Sequence, residues 1–266
     1  DYAIKVLHAD YIATGHYCLR SFDHGIDGPA HLLRGLDKNK DQSYFLHAIG
    51  PNKLHKVLFP VGHIEKPLVR QMAQERGLVT ARKKDSTGIC FIGEKRFGQF
   101  LHQYLPDAST PGPIISTDNK VVGEHPGLMY CTIGQRKGLH IGGSADGTGE
   151  AWYVVDKDMS RNALIVAQGH NHKALFSNGL WASNDTWIIG MPPTPLKCTC
   201  KVRYRQPDVK CTLERVDHAL DGVNVRSMLK VTFDEPVSAV APGQSVVFYN
   251  GQDCLGGAII EAPIKD

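Results

Sequence analysis

Apolar and polar positions change their period along this chain, and the changes divide it. Residues 3–13 read as a helix end followed by a strand-like run. Tyr11-Ile12-Ala13 then runs into Thr14-Gly15-His16, the pattern of a strand ending in a turn. Gly15 has two readings there. It opens the backbone to a ligand at the carboxyl end of a strand, or it is an ordinary turn glycine. Asp23, Gly25, Asp27, Gly28 and Pro29 predict a surface hairpin or loop within residues 20–35. Leu68, Val69, Met72 and Ala73 recur at helical spacing over 64–78, with Pro67 suited to the first turn and Gly77 to the C-cap. Phe97, Phe100, Leu101, Tyr104 and Leu105 predict a second helix over 94–105, closed by Pro106. Residues 107–150 are rich in Gly, Pro, Thr and Ser and predict short strands. From about residue 151 the pattern alternates, through Trp152–Val155, Ala163–Val166 and several strands over 196–260. No long helix is predicted after about residue 140. The expected order is an α/β part, a small mixed region and an all-β end.

Composition narrows this picture. A chain of 266 residues, 42% hydrophobic and 21% charged, supports one to three packed domains and excludes wholesale disorder. No run of 18 apolar residues occurs, and no basic-then-apolar signal opens the chain, so a soluble, cytoplasmic protein is expected. Seven cysteines, an odd number, fit a reducing compartment better than a disulfide framework. The chain opens on Asp1-Tyr2-Ala3 without an initiator Met, as if entered partway. Its net charge of +3 is too mild by itself to name a nucleic-acid partner. The excess is local: residues 1–100 hold 15 Lys and Arg against 10 Asp and Glu.

Charge also selects the candidate chemistry. Cys90 lies in a stretch, 82–96, with five cationic and two acidic residues, and just before the predicted second helix. Both settings favour a thiolate. The competing reading is packing between Ile89 and Phe91. If 196–205 is one strand, Lys197, Thr199, Lys201, Arg203 and Arg205 share a face, with cations at roughly 6–7 Å intervals. Such a face meets phosphates or guards a sheet edge. Cys198, Cys200 and Cys211 lack paired zinc-ligand spacing, and no bound metal is expected. Gly134-Gln135-Arg136-Lys137-Gly138 is either a phosphate cradle or a structural turn.

Several longer blocks resemble the tRNA-specific 2-thiouridylase family. They include Asp10 to Tyr17, Asn39 to Leu46, Lys84 to Gly93, Gly127 to Tyr130, Thr132 to Leu139, Trp152 to Val155, Arg203 to Gln206 and Pro242 to Gln244. The likeness runs in order from residue 9 to about 260 and is greatest to the bacterial enzymes of the wobble uridine. It implies adenylation of uridine C2 with Mg-dependent ATP, then sulfur transfer from a cysteine persulfide. The implied partners are the lysine, glutamate and glutamine tRNAs and a persulfide sulfur-donor protein, with no membrane. Residue by residue, Cys90 matches the persulfide cysteine, Gly15 an ATP-site position, and His16 a tRNA contact. Lys40, Asp41 and Gln42 match a tRNA-contacting triplet, Arg203 and Tyr204 a tRNA-contacting pair, and Gln244 a further contact.

The resemblance also implies three parts. Residues 1–102 are expected to be the C-terminal part of an α/β ATP-pyrophosphatase domain, of the adenine nucleotide alpha hydrolase type. Residues 103–173 are expected to form a small α+β tRNA-binding domain, and 174–266 a β-barrel. The family's Ser-Gly-Gly-Val-Asp-Ser-Ser type loop and its first catalytic cysteine are expected upstream of Asp1, so this chain alone is expected to be inactive. Cys18 does not stand in the missing motif's context. Two rivals remain: a non-catalytic tRNA-binding protein, and a thiol enzyme that uses Cys90 without nucleotide.

Overall fold

The computed structural model describes residues 2–23, 25, 27–83, 110–142, 149–219 and 225–265. The first elements are α1 (Tyr2–Lys5), β1 (Ile12–Ala13), β2 (Cys18–Phe22), β3 (Ala30–Arg34), α2 (Ser43–Leu46), α3 (Pro51–Leu54), β4 (Val57–Leu58) and α4 (Lys66–Glu75). Then follow β5 (Gly112–Ser116), β6 (Val121–His125), β7 (Trp152–Asp158), β8 (Ala163–Gln168) and β9 (Phe176–Trp187). The last are β10 (Leu196–Lys201), β11 (Val209–Ala219), β12 (Val225–Ser238), β13 (Ser245–Asn250) and β14 (Asp253–Ile264). They gather into two compact units. One joins Asp1–Lys83 to Asn178–Glu235 and Pro242–Ile264; the other centres on Lys84–Ser177.

In the first unit the expected barrel is present. Its strands run β13-β10-β11-β12-β9-β14, and β13 closes on β14. Period-two burial drives the closure. Leu229, Val231 and Phe233 are buried on β12 while Thr232 and Asp234 are exposed. Of the two expectations for residues 20–35, hairpin or loop, the hairpin is found as β2 and β3, and it extends the barrel sheet through Leu32↔Cys254 and Leu33↔Asp253. Leu32, Tyr44 and Leu54 then share one core with Ile188, Val247, Tyr249 and Cys254. Full burial of each large apolar side chain contributes about 1.5–3 kcal/mol. The N-terminal segment and the barrel thus stabilise each other.

β1 and β4 form a two-stranded parallel sheet, with Ile12 opposite Val57. The predicted first helix is α4, two residues shorter at its start. Pro67 lies in its first turn, and Gly77 ends it at φ 66°, where its N–H donates to the Gln74 carbonyl. No α4 residue is fully buried, and Leu68 remains 49% exposed. The helix expected over 94–105 lies outside the described residues.

The second unit is a four-stranded sheet, β6-β5-β8-β7, in which β5 and β8 run parallel. Val154 and Val166 pack on one side with Ile114, Leu128 and Leu164. Val155 and Ala167 turn to the other side with Leu175. Among the described residues no helix is long and apolar enough to cross a membrane.

Candidate nucleic-acid interface

Strand β1 delivers the first candidate residues. Past its end, the Thr14 N–H donates to the Leu58 carbonyl at 3.0 Å, holding the chain extended. Gly15 is exposed, and a Cβ built there meets no heavy atom within 4 Å. This bare backbone at the carboxyl end of a parallel strand leaves room for a ligand to approach the main chain closely. Thr14 Oγ1 and His16 Nδ1 share a 2.7 Å hydrogen bond that ties the imidazole to the strand end.

Two reciprocal bonds connect this segment to the Lys40–Gln42 triplet. The Tyr17 N–H donates to Gln42 Oε1 at 2.9 Å, and the Gln42 N–H donates to the Tyr17 carbonyl at 3.1 Å. Gly35 permits the approach, because a Cβ there would lie 2.3 Å from the Tyr17 oxygen. Asp41 holds the same loop from inside. Its carboxylate accepts from the Gly35 N–H, the Ser43 N–H and the Ser43 hydroxyl, each at 3.1 Å, and stands 3.6 Å from Arg34. Asp41 is 7% exposed, so it acts chiefly by fixing the loop that carries Lys40.

The loop faces a turn of the barrel across a groove of about 570 Å³. Lys38 and Lys40 line one side, and Lys201, Tyr204 and Arg205 the other. A neighbouring cavity of about 520 Å³ shares Lys38, Asp41 and Lys201 and adds Arg34. The expectation of one cationic strand through Arg205 is corrected here. Strand β10 stops at Lys201, and the Gln206 N–H closes a turn on the Arg203 carbonyl at 3.1 Å. Lys201 does not point freely to solvent either. Its ammonium is 3.7 Å from Asp208 and 5.9 Å from the Tyr249 ring centroid, with the side chain 14% exposed. Burial lowers the Arg203 pKa, and the nearby Tyr44 opposes that shift. Gln244 is exposed on the β12–β13 connection and does not line the groove. Cys90 lies outside the described residues.

The described thiols contrast with the setting inferred for Cys90. Burial, reinforced by Asp41, pushes the Cys18 thiol far up. Burial raises Cys254 to about 12. Cys198 and Cys211 face each other across β10 and β11 with their sulfurs 3.7 Å apart. Among the described residues no three His, Cys, Asp or Glu side chains gather where they could hold a metal ion.

The 134–138 segment is a built turn. Gln135 Oε1 accepts from the Thr132 N–H, and its Nε2 donates to the Lys137 carbonyl. Gly134 and Gly138 take φ values of 79° and 77°. Arg136 and Lys137 remain exposed beside a cavity of about 320 Å³ lined by His140 and Trp152.

Sequence reasoning had not singled out Lys38, nor Phe45, whose exposed ring lies against the groove residue Tyr204. Lys38 stands two residues before Lys40, a spacing that would have flagged it. Phe45 lies inside the Asn39–Leu46 block, but nothing in its apolar character announced an exposed position.

Three family models match successive parts of the chain. A model described as tRNA methyl transferase HUP domain covers residues 1–94. One described as tRNA methyl transferase PRC-barrel domain covers 98–168, and one described as aminomethyltransferase beta-barrel domain covers 177–260. Among curated relatives, the tRNA-specific 2-thiouridylase MnmA of Escherichia coli O1:K1 / APEC is 56% identical over 262 residues, 98% of this chain and 68% of that protein. The proteins of the same name from Shigella dysenteriae serotype 1 (strain Sd197) and Shigella flexneri have the same identity and coverage.

Proposed function

The chain belongs to the tRNA-specific 2-thiouridylase family, and from that membership we propose that it carries the RNA-holding and persulfide-bearing part of a wobble-uridine thiolase. The substrates are the lysine, glutamate and glutamine tRNAs, and a persulfide-carrying protein supplies the sulfur. ATP, when bound with Mg²⁺, supplies the adenylyl group that makes the uridine C2 oxygen a leaving group. Gly15 leaves the strand end open to that nucleotide. His16, Lys40 and Gln42 hold the RNA beside it, while Asp41 keeps their loop in shape. Arg203 and Tyr204 engage the RNA from the barrel side, and Gln244 adds a contact away from the groove.

Cys90 receives the persulfide. Its terminal sulfur bonds to C2 as the C2–oxygen bond breaks and AMP leaves. A second thiol then attacks the Cys90 sulfur. The S–S bond breaks, the two thiols become a disulfide, and the transferred sulfur keeps the bonding pair. An external thiol reduces that disulfide between turnovers. The cations of 82–96 favour the attacking thiolate form of Cys90. The three-part division at about residues 102 and 173 belongs to this reading as well.

The observation that carries the reading is the Tyr17–Gln42 pair of hydrogen bonds. It couples the strand end that would meet a nucleotide to the loop that lines a cationic groove. The test is 2-thiouridine formation by the complete enzyme. Cys90→Ser abolishes it, and retained activity overturns the persulfide assignment. The 266-residue chain alone binds tRNA but gives no tRNA-dependent AMP and pyrophosphate; such turnover would overturn the division of labour. A purely RNA-binding role is the second reading, favoured by the groove's cations. Sulfur transfer to tRNA by the complete enzyme excludes it.

A further inference from the structure

The single turn α2 disposes its residues unequally. Ser43 and Tyr44 are buried, and Leu46 packs against the shared core, yet Phe45 between them is 56% exposed. The part of that ring left in water gains nothing from the hydrophobic effect. Phe45 is nevertheless fixed in position. Its ring centroid lies 4.4 Å from that of Tyr204, at an interplanar angle of 41°, and 5.6 Å from that of Tyr44 in an edge-on contact. Tyr44 in turn is anchored by donating to the Ser245 carbonyl at 2.8 Å. The pair Phe45–Tyr204 is therefore a braced, partly exposed aromatic surface.

Its surroundings are cationic. Tyr204 lines the groove together with Lys38, Lys40 and Arg205. Burial and then Asp41 raise the Tyr204 hydroxyl pKa, while Lys40 and Arg205 oppose that shift. An aromatic face beside a row of cations matches an unpaired nucleotide. The base stacks on the ring, and the flanking phosphates meet the ammonium and guanidinium groups. Double-stranded RNA offers no such free base.

We propose that Phe45, with Tyr204, is a stacking platform for one unstacked nucleobase of the bound RNA. This inference rests on the tRNA-binding reading above and adds to it a residue and a mode of contact. It requires a single-stranded nucleotide at the groove, as an anticodon loop presents.

The test uses the chain as it stands, a synthetic anticodon stem–loop RNA, and an RNA duplex of the same length. Binding is measured as a function of KCl concentration. Phe45→Leu weakens stem–loop binding about tenfold, the lower part of the range for loss of one stacked base, and leaves the salt slope and duplex binding unchanged. Phe45→Trp retains affinity, and its added fluorescence is quenched by the stem–loop but not by the duplex. A thermal melt confirms that both variants fold. If the wild type binds the stem–loop and Phe45→Leu binds equally well, the platform is overturned and the groove reading stands. The platform also falls if Phe45→Leu loses stem–loop and duplex binding equally. If the wild type binds neither RNA, the tRNA reading itself fails and the platform with it.

Discussion

The guanidinium carbon of Arg34 sits 3.6 Å from the centroid of the Tyr249 ring. Arg34 ends β3 in the N-terminal segment, and Tyr249 is buried on β13 of the barrel. The same guanidinium donates to Asp208 Oδ2 at 2.6 Å and to the Gly251 carbonyl at 3.1 Å, and it approaches Asp41 at 3.6 Å. One side chain, 11% exposed, thereby joins the hairpin, the barrel and the loop of the groove.

Arg34→Met should therefore cost more than a surface ion pair. It removes the cation–π contact and leaves Asp41 without its only ion pair among those described. We expect a loss of about 2–4 kcal/mol in urea unfolding. Arg34→Lys should recover only part of it, because an ammonium cannot reproduce the fork of donors. An unchanged midpoint for Arg34→Met would show that the network contributes no net stability.

A second cross-link depends on pH. His31 of β3 lies between Asp253, 2.7 Å from Nδ1, and Asp23, 2.9 Å from Nε2. Burial works to lower the imidazole pKa, but the bonds to Asp23 and Asp253 outweigh it, and the net shift is upward. A folded-state pKa raised above the unfolded value of about 6.5 gives stability that is fully present below that pH. It is lost as pH rises through the folded-state value. Urea midpoints should fall from pH 6 toward pH 9, and His31→Gln should flatten that decline. A pH dependence of the midpoint that is the same in the wild type and in His31→Gln would contradict the assignment.

Cysteine reactivity offers a third check. Cys18, Cys131, Cys200, Cys211 and Cys254 are buried, and Cys198 contacts Cys211. Brief iodoacetamide treatment of the native chain should label Cys90 first, with the other six following only in denaturant. Mass spectrometry of the peptides reads the order. Labelling of Cys18 or Cys254 as fast as Cys90 would undo both the burial argument and the choice of nucleophile.

The strands of the C-terminal part, a hairpin or loop at 20–35 and α4 were legible because each is written locally, in period-two alternation, turn residues or a Pro-to-Gly helical stretch. Closure of those strands into a barrel was implied by the resemblance alone. The attachment of the hairpin to β14 was not. It depends on Leu32 meeting Cys254, residues distant in sequence whose pairing no local pattern encodes. The site divides in the same way. Lys40–Gln42 and Arg203–Tyr204 stand out by resemblance, but only the fold brings Lys40 and Tyr204 to one groove. Alternation misled at β10. Cationic residues continue at every second position to Arg205, although the backbone has already turned after Lys201.

That correction yields the sharpest test of the groove. Arg205 is exposed on its wall, whereas Lys201 is tied to Asp208 and lies near Tyr249. A continuous cationic strand would give both residues the same role in binding RNA. The folded arrangement separates them. Arg205→Gln should weaken tRNA binding and reduce the slope of log Kd against log salt by about 0.7–0.9, one phosphate contact, with stability unchanged. Lys201→Gln should instead lower stability by about 1 kcal/mol and move the salt slope much less, since its charge is already engaged by a carboxylate. Equal slope changes for the two variants would mean that Lys201 leaves Asp208 when RNA binds. No change for Arg205→Gln would remove this wall of the groove from the RNA path.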